Sequence, residues 1–419
     1  MFESFFPRPK LLFGSLLIYV AAIVIFWRTI GDSVATAIGF NLPAEDADPV
    51  IGLGFFVTHD FLWFYLVYFV ATILFWQFWK RFSPHPWQTW SVLGTAFIIF
   101  VTYYSVQVSV AINYWYRPFY DLLQKALQGD SGLTEKDFYL SALDFLNIAL
   151  VYVGVATGTS FFLSHYVFRW RTAMNDYYTG MWEKVRRIEG ASQRIQEDTM
   201  RFADITESLG IRIVDAIMTL FAFLPILLEL SVHVEVLPII GQVPAPLVTA
   251  AILWAVFGTG LLALAGIKLP GLHFRNQRVE AAFRKELVLG EDRDERADPI
   301  SLKELFSNVR RNYFKLYFHY VYFNVVRNVY LQFNNVFALI LLVPTIVGGA
   351  ITLGIFNRIT SAFGQVASSF QFLVYSWSTI VELMSIYKRL AAFEAAINEQ
   401  PLPDIDQEFI ATGGRADDR

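Results

Sequence analysis

The run RWRTAMNDYYTGMWEKVRRIEGASQRIQEDTMRFADITESLG, Arg169 to Gly210, decides the fold. It is polar and rich in helix formers, and it lies between two strongly apolar stretches. Unpaired charges are costly in hydrocarbon, so these residues must lie outside a bilayer that their neighbours can cross. Their composition is that of a helix rather than a slack linker. A second polar arm, Lys268 to Gln332, separates the next two apolar runs in the same way.

Working outward, 55% of the 419 residues are apolar and only 17% are charged. Soluble domains average about 25% charged residues. With a mean hydropathy of +0.44, much of the surface must face lipid, which makes this an all-α polytopic membrane protein. The net charge of -4, with no basic stripe, argues against nucleic acid as a partner. Cysteine is absent, which excludes disulfides and thiolate chemistry. The six histidines have no metal-binding spacing, so neither a metal nor a cofactor is expected.

A membrane helix needs roughly 20 mostly apolar residues. About eight segments qualify: 11–27, 61–79, 89–113, 138–168, 211–232, 247–267, 333–357 and 361–387. The first follows Arg8 and Lys10 as a signal peptide would, but its apolar run is too long for one and reads as a retained helix. With the N-terminus inside, 27 of the 33 Lys and Arg residues fall on the inner side and 5 outside. That asymmetry predicts cytoplasmic termini and cytoplasmic arms. The outer loops hold Asp46, Asp48, Asp130 and Glu135. One of them is expected to open with the aromatic cluster Tyr114-Trp115-Tyr116-Arg117-Pro118 at the membrane interface. Pro401, Pro403, Gly413 and Gly414 mark a flexible tail.

Leaving the first two helices aside, the other six are interrupted by long inner arms after their second and fourth members. That is the layout of an ABC-exporter membrane domain. The expected divisions are 1–88 for two added helices, 89–390 for the exporter-like core with arms 169–210 and 268–332, and 391–419 for a cytoplasmic tail. A P-loop needs Gly-Lys ahead of Ser or Thr, and Gly-Lys occurs nowhere in these residues. No nucleotide-binding domain or ATP site is therefore expected within them.

Five runs carry a closer likeness: Ser164–Tyr178, Ile188–Ala203, Gly266–Asp292, Lys315–Asn324 and Ser378–Leu390. They resemble the SbmA/BacA-type peptide-antibiotic transporters of Gram-negative inner membranes. QRIQED and QRVEAAFR also resemble the arms of peroxisomal-type ABC exporters. The resemblance implies a homodimer in the lipid bilayer, without an ATPase, that uses protons to import varied peptides, antimicrobial peptides among them. An alternative is a membrane subunit that relies on a separately encoded ATPase.

Proton coupling needs carboxyls that gain and lose protons as a cavity opens to each side. The first arm offers Glu197, Asp198, Asp204 and Glu207; Glu197 and Asp204 are seven residues apart, on one helical face. The second offers Glu280 and Glu291, about three turns apart. The resemblance implies a glutamate ladder at Glu207, Glu280 and Glu291; the bland account is a solvated face with pairs such as Glu280 with Arg284. Asp144 and Asp215 lie within or near apolar runs and should face a cavity or another helix. Gln193, after a turn at Gly190, and Arg389, at the inner end of the last helix, are expected to contact the cavity or an arm. Gly154 and Gly158 form a GxxxG packing step.

Overall fold

A computed structural model describes residues 1–42, 48–129, 132–186, 188, 191–234, 237–238, 241–292 and 297–398. Asp46, Asp130, Gly190 and the tail prolines and glycines lie outside the described residues. In chain order the α-helices are α1 (Pro9–Phe26), α2 (Asp32–Ile38), α3 (His59–Phe82), α4 (Thr95–Leu127), α5 (Glu135–Thr179), α6 (Trp182–Val185) and α7 (Ala191–Gln193). They continue with α8 (Thr199–Leu230), α9 (Pro246–Gly266), α10 (Leu269–Asp292), α11 (Pro299–Val347), α12 (Leu353–Tyr375) and α13 (Trp377–Ile397). Among the described residues there is no β-strand beyond a single bridge between Leu237 and Gly241.

Among the described residues, seven helical stretches are long and apolar enough to cross a membrane. Their exposed faces suit lipid: on α1, Leu17 and Ile18 are 73% and 74% exposed. The expected eighth segment, 361–387, is divided at Ser376 between α12 and α13. Gln365, Ser368, Ser369 and Gln371 on α12 dilute its apolar character.

Helix length accounts for the arms. At about 1.5 Å per residue the 45 residues of α5 span roughly 68 Å, more than twice the ~30 Å of hydrocarbon. The first arm is thus the continuation of α5 beyond the apolar run, two short helices, a π-helical turn at Arg194–Asp198 and the start of α8. The second is α10 packed against the first half of α11. Starts are set locally. Thr134 caps α5 in a capping box with Asp137, and Pro299 opens α11 behind the Asp298 cap.

The aromatic cluster at 114–118 proves to be helix, not loop, because α4 continues through Pro118 to Leu127. Trp115 donates from Nε1 to the Ser141 carbonyl (2.7 Å) and stacks on Phe119, so it packs α4 on α5. Gly154 and Gly158, in contrast, are exposed with nothing within 4 Å of where a Cβ would sit.

The chain divides into two compact units. One comprises Met1–Ala222, Thr352–Arg358 and the chain from Glu382 on; the other comprises Phe223–Ile351 and Ile359–Val381. In the first, α4 caps the start of α12: Gln124 Oε1 accepts from the Leu353 amide (2.7 Å) and Asp121 Oδ1 from the Gly354 amide (3.0 Å). These are amides that a helix start otherwise leaves orphaned.

In the second unit α9 packs on α11 around Tyr330, which is 2% exposed. Trp254 stacks on Phe337 and donates to Asn334 Oδ1 (2.8 Å). Gly258 lets the helices meet, since a Cβ there would overlap the Tyr330 phenol. The phenol is held by the Gln371 amide (2.7 Å) and cannot step aside cheaply. Gly258→Ala should therefore cost about 1–3 kcal/mol through overpacking, read as a lower midpoint in thermal unfolding of the detergent-purified protein.

Candidate functional site: an acceptor-lined cavity and an ion-paired arm

In the first unit α4, α5 and the first half of α8 enclose an open cavity of about 640 Å³. Its α8 wall presents Asp204, Glu207, Ile211 and Asp215. Steps of three, four and four residues place these on one helical stripe. The α5 wall runs from Ala156 to Arg171 and carries Thr159, Ser160 and Ser164; α4 adds Thr102 and Ser105.

Several of these hydroxyls spend their proton on their own helix. Thr102 donates to the Ile98 carbonyl, Thr159 to Val155 and Ser164 to Ser160, at 2.7–3.0 Å. Their oxygens are left as acceptors. With three carboxylates on the facing wall and one cation, Arg171, the lining favours groups that donate hydrogen bonds or carry positive charge. Glu207 is half-buried, and its Oε1 is out of contact with solvent and without a hydrogen-bond partner. Tyr166 on α5 lies within its electrostatic reach and is bonded through its hydroxyl to Thr95 Oγ1 (2.7 Å).

Glu197 does not line this cavity. The π-helical turn ends just after it and shifts the register relative to Asp204. Glu197 instead pairs with Arg201 (3.1 Å) and accepts from Gln193 Nε2 (3.3 Å), so the expected Gln193 arm contact is made within its own turn. Asp144 is exposed on α5, beside Gly52.

Arg389 meets the first arm at Asp198. Its guanidinium grips Asp198 with Nη2 (2.7 Å) and Nε (3.0 Å). Asp198 is only 3% exposed, and a fork-shaped donor set suits both oxygens of a buried carboxylate. Around this pair Arg201 reaches Glu382 (3.6 Å), Tyr178 donates to Glu394 Oε1 (2.8 Å), and Arg194 lies over the Phe393 ring (5.4 Å). The end of α13 is thereby bound to the first arm.

Glu280 and Glu291 belong to the second unit, both exposed on α10. Tyr313 on α11 lies within electrostatic reach of Glu280. Nearby Asn312 donates to Asn276 Oδ1 (2.8 Å), and His273 bonds Tyr320 (2.5 Å). His319 is bonded to the Lys315 carbonyl of its own helix (2.8 Å). Among the described residues no group of three His, Asp or Glu side chains could hold a metal ion.

Sequence reasoning did not find the cavity hydroxyls, Tyr166 or Tyr178. Ser160, Ser164 and Tyr166 fall within or beside the quoted Ser164–Tyr178 run, and the four-residue spacing of the serines was the available signal.

The chain is similar to several proteins named as ABC transporters. The inner membrane ABC transporter ATP-binding protein YddA of Escherichia coli is 24% identical over 334 residues, covering 74% of this chain and 58% of its own length. The chloroplastic ABC transporter D family member 2 of Arabidopsis thaliana is 23% identical over 356 residues, covering 78% and 47% respectively. An uncharacterized ABC transporter ATP-binding protein of Synechocystis is 24% identical over 249 residues, covering 55% and 36%. The chain thus spans roughly half the length of the curated relatives it matches. Residues 84–398, which include the cavity, the arm with its buried ion pair and the α10–α11 hairpin, match the SbmA/BacA-like family, and the chain is a multi-pass membrane protein belonging to that family.

Proposed function

We propose that this protein imports varied peptides, antimicrobial peptides among them, across the bacterial inner membrane. In this reading it is a homodimer driven by the proton gradient, with termini and arms in the cytoplasm. The observation that carries the reading is the α8 stripe of Asp204, Glu207 and Asp215 facing an acceptor-lined cavity. Such a wall binds the cationic and amide donors of a peptide without demanding one sequence. Carboxyls crowded with like charge and withdrawn from water are also groups that take up protons. Glu207, with Glu280 and Glu291 of the second arm, is assigned to carry the coupling protons. Glu197, paired with Arg201, is assigned a supporting part. Asp215 contacts cargo, while Asp144, Gln193 and Arg389 hold neighbouring helices and the arm in place. Residues 89–390 serve as the exporter-like core.

The test is uptake of a fluorescent proline-rich peptide into ATP-free liposomes with an acid-outside gradient. Gradient-dependent uptake that a protonophore abolishes is the expected result. No uptake by folded dimer under any gradient overturns the reading.

A second reading follows from the Escherichia coli and Synechocystis relatives, both of which are named ABC transporter ATP-binding proteins. Under it the chain works with an ATPase. Uptake that requires ATP and is blocked by vanadate would favour it.

A further inference from the structure

The chain's first residues make an aromatic contact that the transport reading leaves unused. Phe5 and Phe6 are 0% and 5% exposed. Phe5 stacks on Trp170 (5.6 Å between ring centroids, 14° between planes) and meets Tyr166 edge-on (5.4 Å). Phe6 also packs on Trp170, at 5.5 Å. Phe2 bridges two helices, lying 5.8 Å from Trp170 on α5 and 5.3 Å from Phe202 on α8. Trp170 and Phe202 meet each other at 5.8 Å, and each is no more than 3% exposed.

The place of this cluster on the two helices gives it leverage. Tyr166 and Trp170 each precede a cavity-lining residue, Val167 and Arg171, so they point about 100° round α5 from the cavity. Phe202 stands two residues before Asp204 and five before Glu207, at the start of the carboxylate stripe. The rings therefore fill the back of the junction whose front is the cavity.

We propose that Phe2, Phe5 and Phe6 form a wedge that clamps α5 to the start of α8, fixing the width of the cavity and positioning Glu207 within it. These rings are positioning residues. The part concerning Glu207 rests on the proposed transport role of that residue; the clamp itself does not. The charged and titratable groups that Glu207 meets are Asp204 and Asp215 on its own helix and Tyr166 and Arg171 on α5. The α4 wall contributes hydroxyls, Thr102 and Ser105. All of them sit on the helices the wedge holds, so releasing it changes what surrounds the carboxyl.

The sequence contains no cysteine, so spin labels at Leu163→Cys on α5 and Ile211→Cys on α8 report the cavity width without background. Phe2 is only half-buried, which makes Phe2→Ala the variant chosen to keep the fold; Phe2→Ala/Phe5→Ala/Phe6→Ala is the stronger form. The expected result is a label-to-label distance distribution at least twice as broad as in the parent. The pH midpoint of peptide uptake should also move by at least half a unit, with Phe2→Leu restoring most of both. An unchanged distribution in folded Phe2→Ala protein overturns the clamp. A broadened distribution with an unmoved pH profile overturns the link to Glu207. Uptake at the parent rate by Glu207→Gln would instead remove Glu207 from transport and leave the distance measurement to decide the clamp.

Discussion

Glu207→Gln should lower gradient-driven peptide uptake by roughly 50-fold while leaving membrane insertion and yield unchanged. The magnitude follows from the driving force, since one charge crossing 100 mV is worth about 2.3 kcal/mol. Glutamine matches glutamate in shape, so the cavity wall survives; what disappears is the capacity to alternate between charged and neutral forms. The change should not unfold the protein, because Glu207 Oε1 has no hydrogen-bond partner to lose. Initial uptake rates in liposomes at several imposed gradients, with binding of the same peptide measured separately, distinguish lost coupling from lost recognition. Binding retained with the gradient response gone is the expected pattern. A normal gradient response would remove Glu207 from the coupling set, and the same assay applied to Glu280→Gln and Glu291→Gln judges the second arm.

The largest stability effect is expected at Arg389. Asp198 is 3% exposed, and its two oxygens are both satisfied by one guanidinium. Removing that guanidinium leaves a buried carboxylate without its countercharge. Losses of this kind reach about 3–5 kcal/mol when both partners are buried. The Arg389 side chain is 42% exposed, so water already screens part of the attraction, and about 2–3 kcal/mol is the fitting figure for Arg389→Ala. The double variant Asp198→Ala/Arg389→Ala should recover most of that loss, because no orphaned charge remains. Thermal unfolding of the four proteins in one detergent gives the coupling directly. A midpoint for Arg389→Ala equal to that of the parent would mean that α13 is bound to the arm by its other contacts alone.

Charge and apolar patterning along the chain were enough to read the membrane class and the long arms, and five contiguous runs carried the family likeness. Each is a one-dimensional property: a run of roughly 20 apolar residues must leave water, and a run such as Arg169–Gly210 must stay in it. The family-like stretches are likewise contiguous. Local rules failed where an interaction reached across the sequence or altered helical register. The aromatic run at 114–118 looked like a loop because it follows an apolar segment and contains a proline, yet packing of Trp115 against α5 carries the helix through it. Glu197 and Asp204 look like neighbours on a regular helix, and the π-helical turn before α8 separates them.

What the sequence by itself determined is therefore the all-α membrane class, seven of the apolar runs long enough to cross a bilayer and the supply of carboxylates on the arms. Tertiary structure alone decided which groups each carboxylate meets. Asp198 and Arg389 are 191 positions apart and become one buried pair. Glu207 and Asp215 turn into a wall only because α4 and α5 stand opposite with acceptor oxygens. Phe2 finds Trp170 and Phe202 only after the arm has folded back. Burial and partnership set what an ionisable group can do, and both depend on helices distant in the chain.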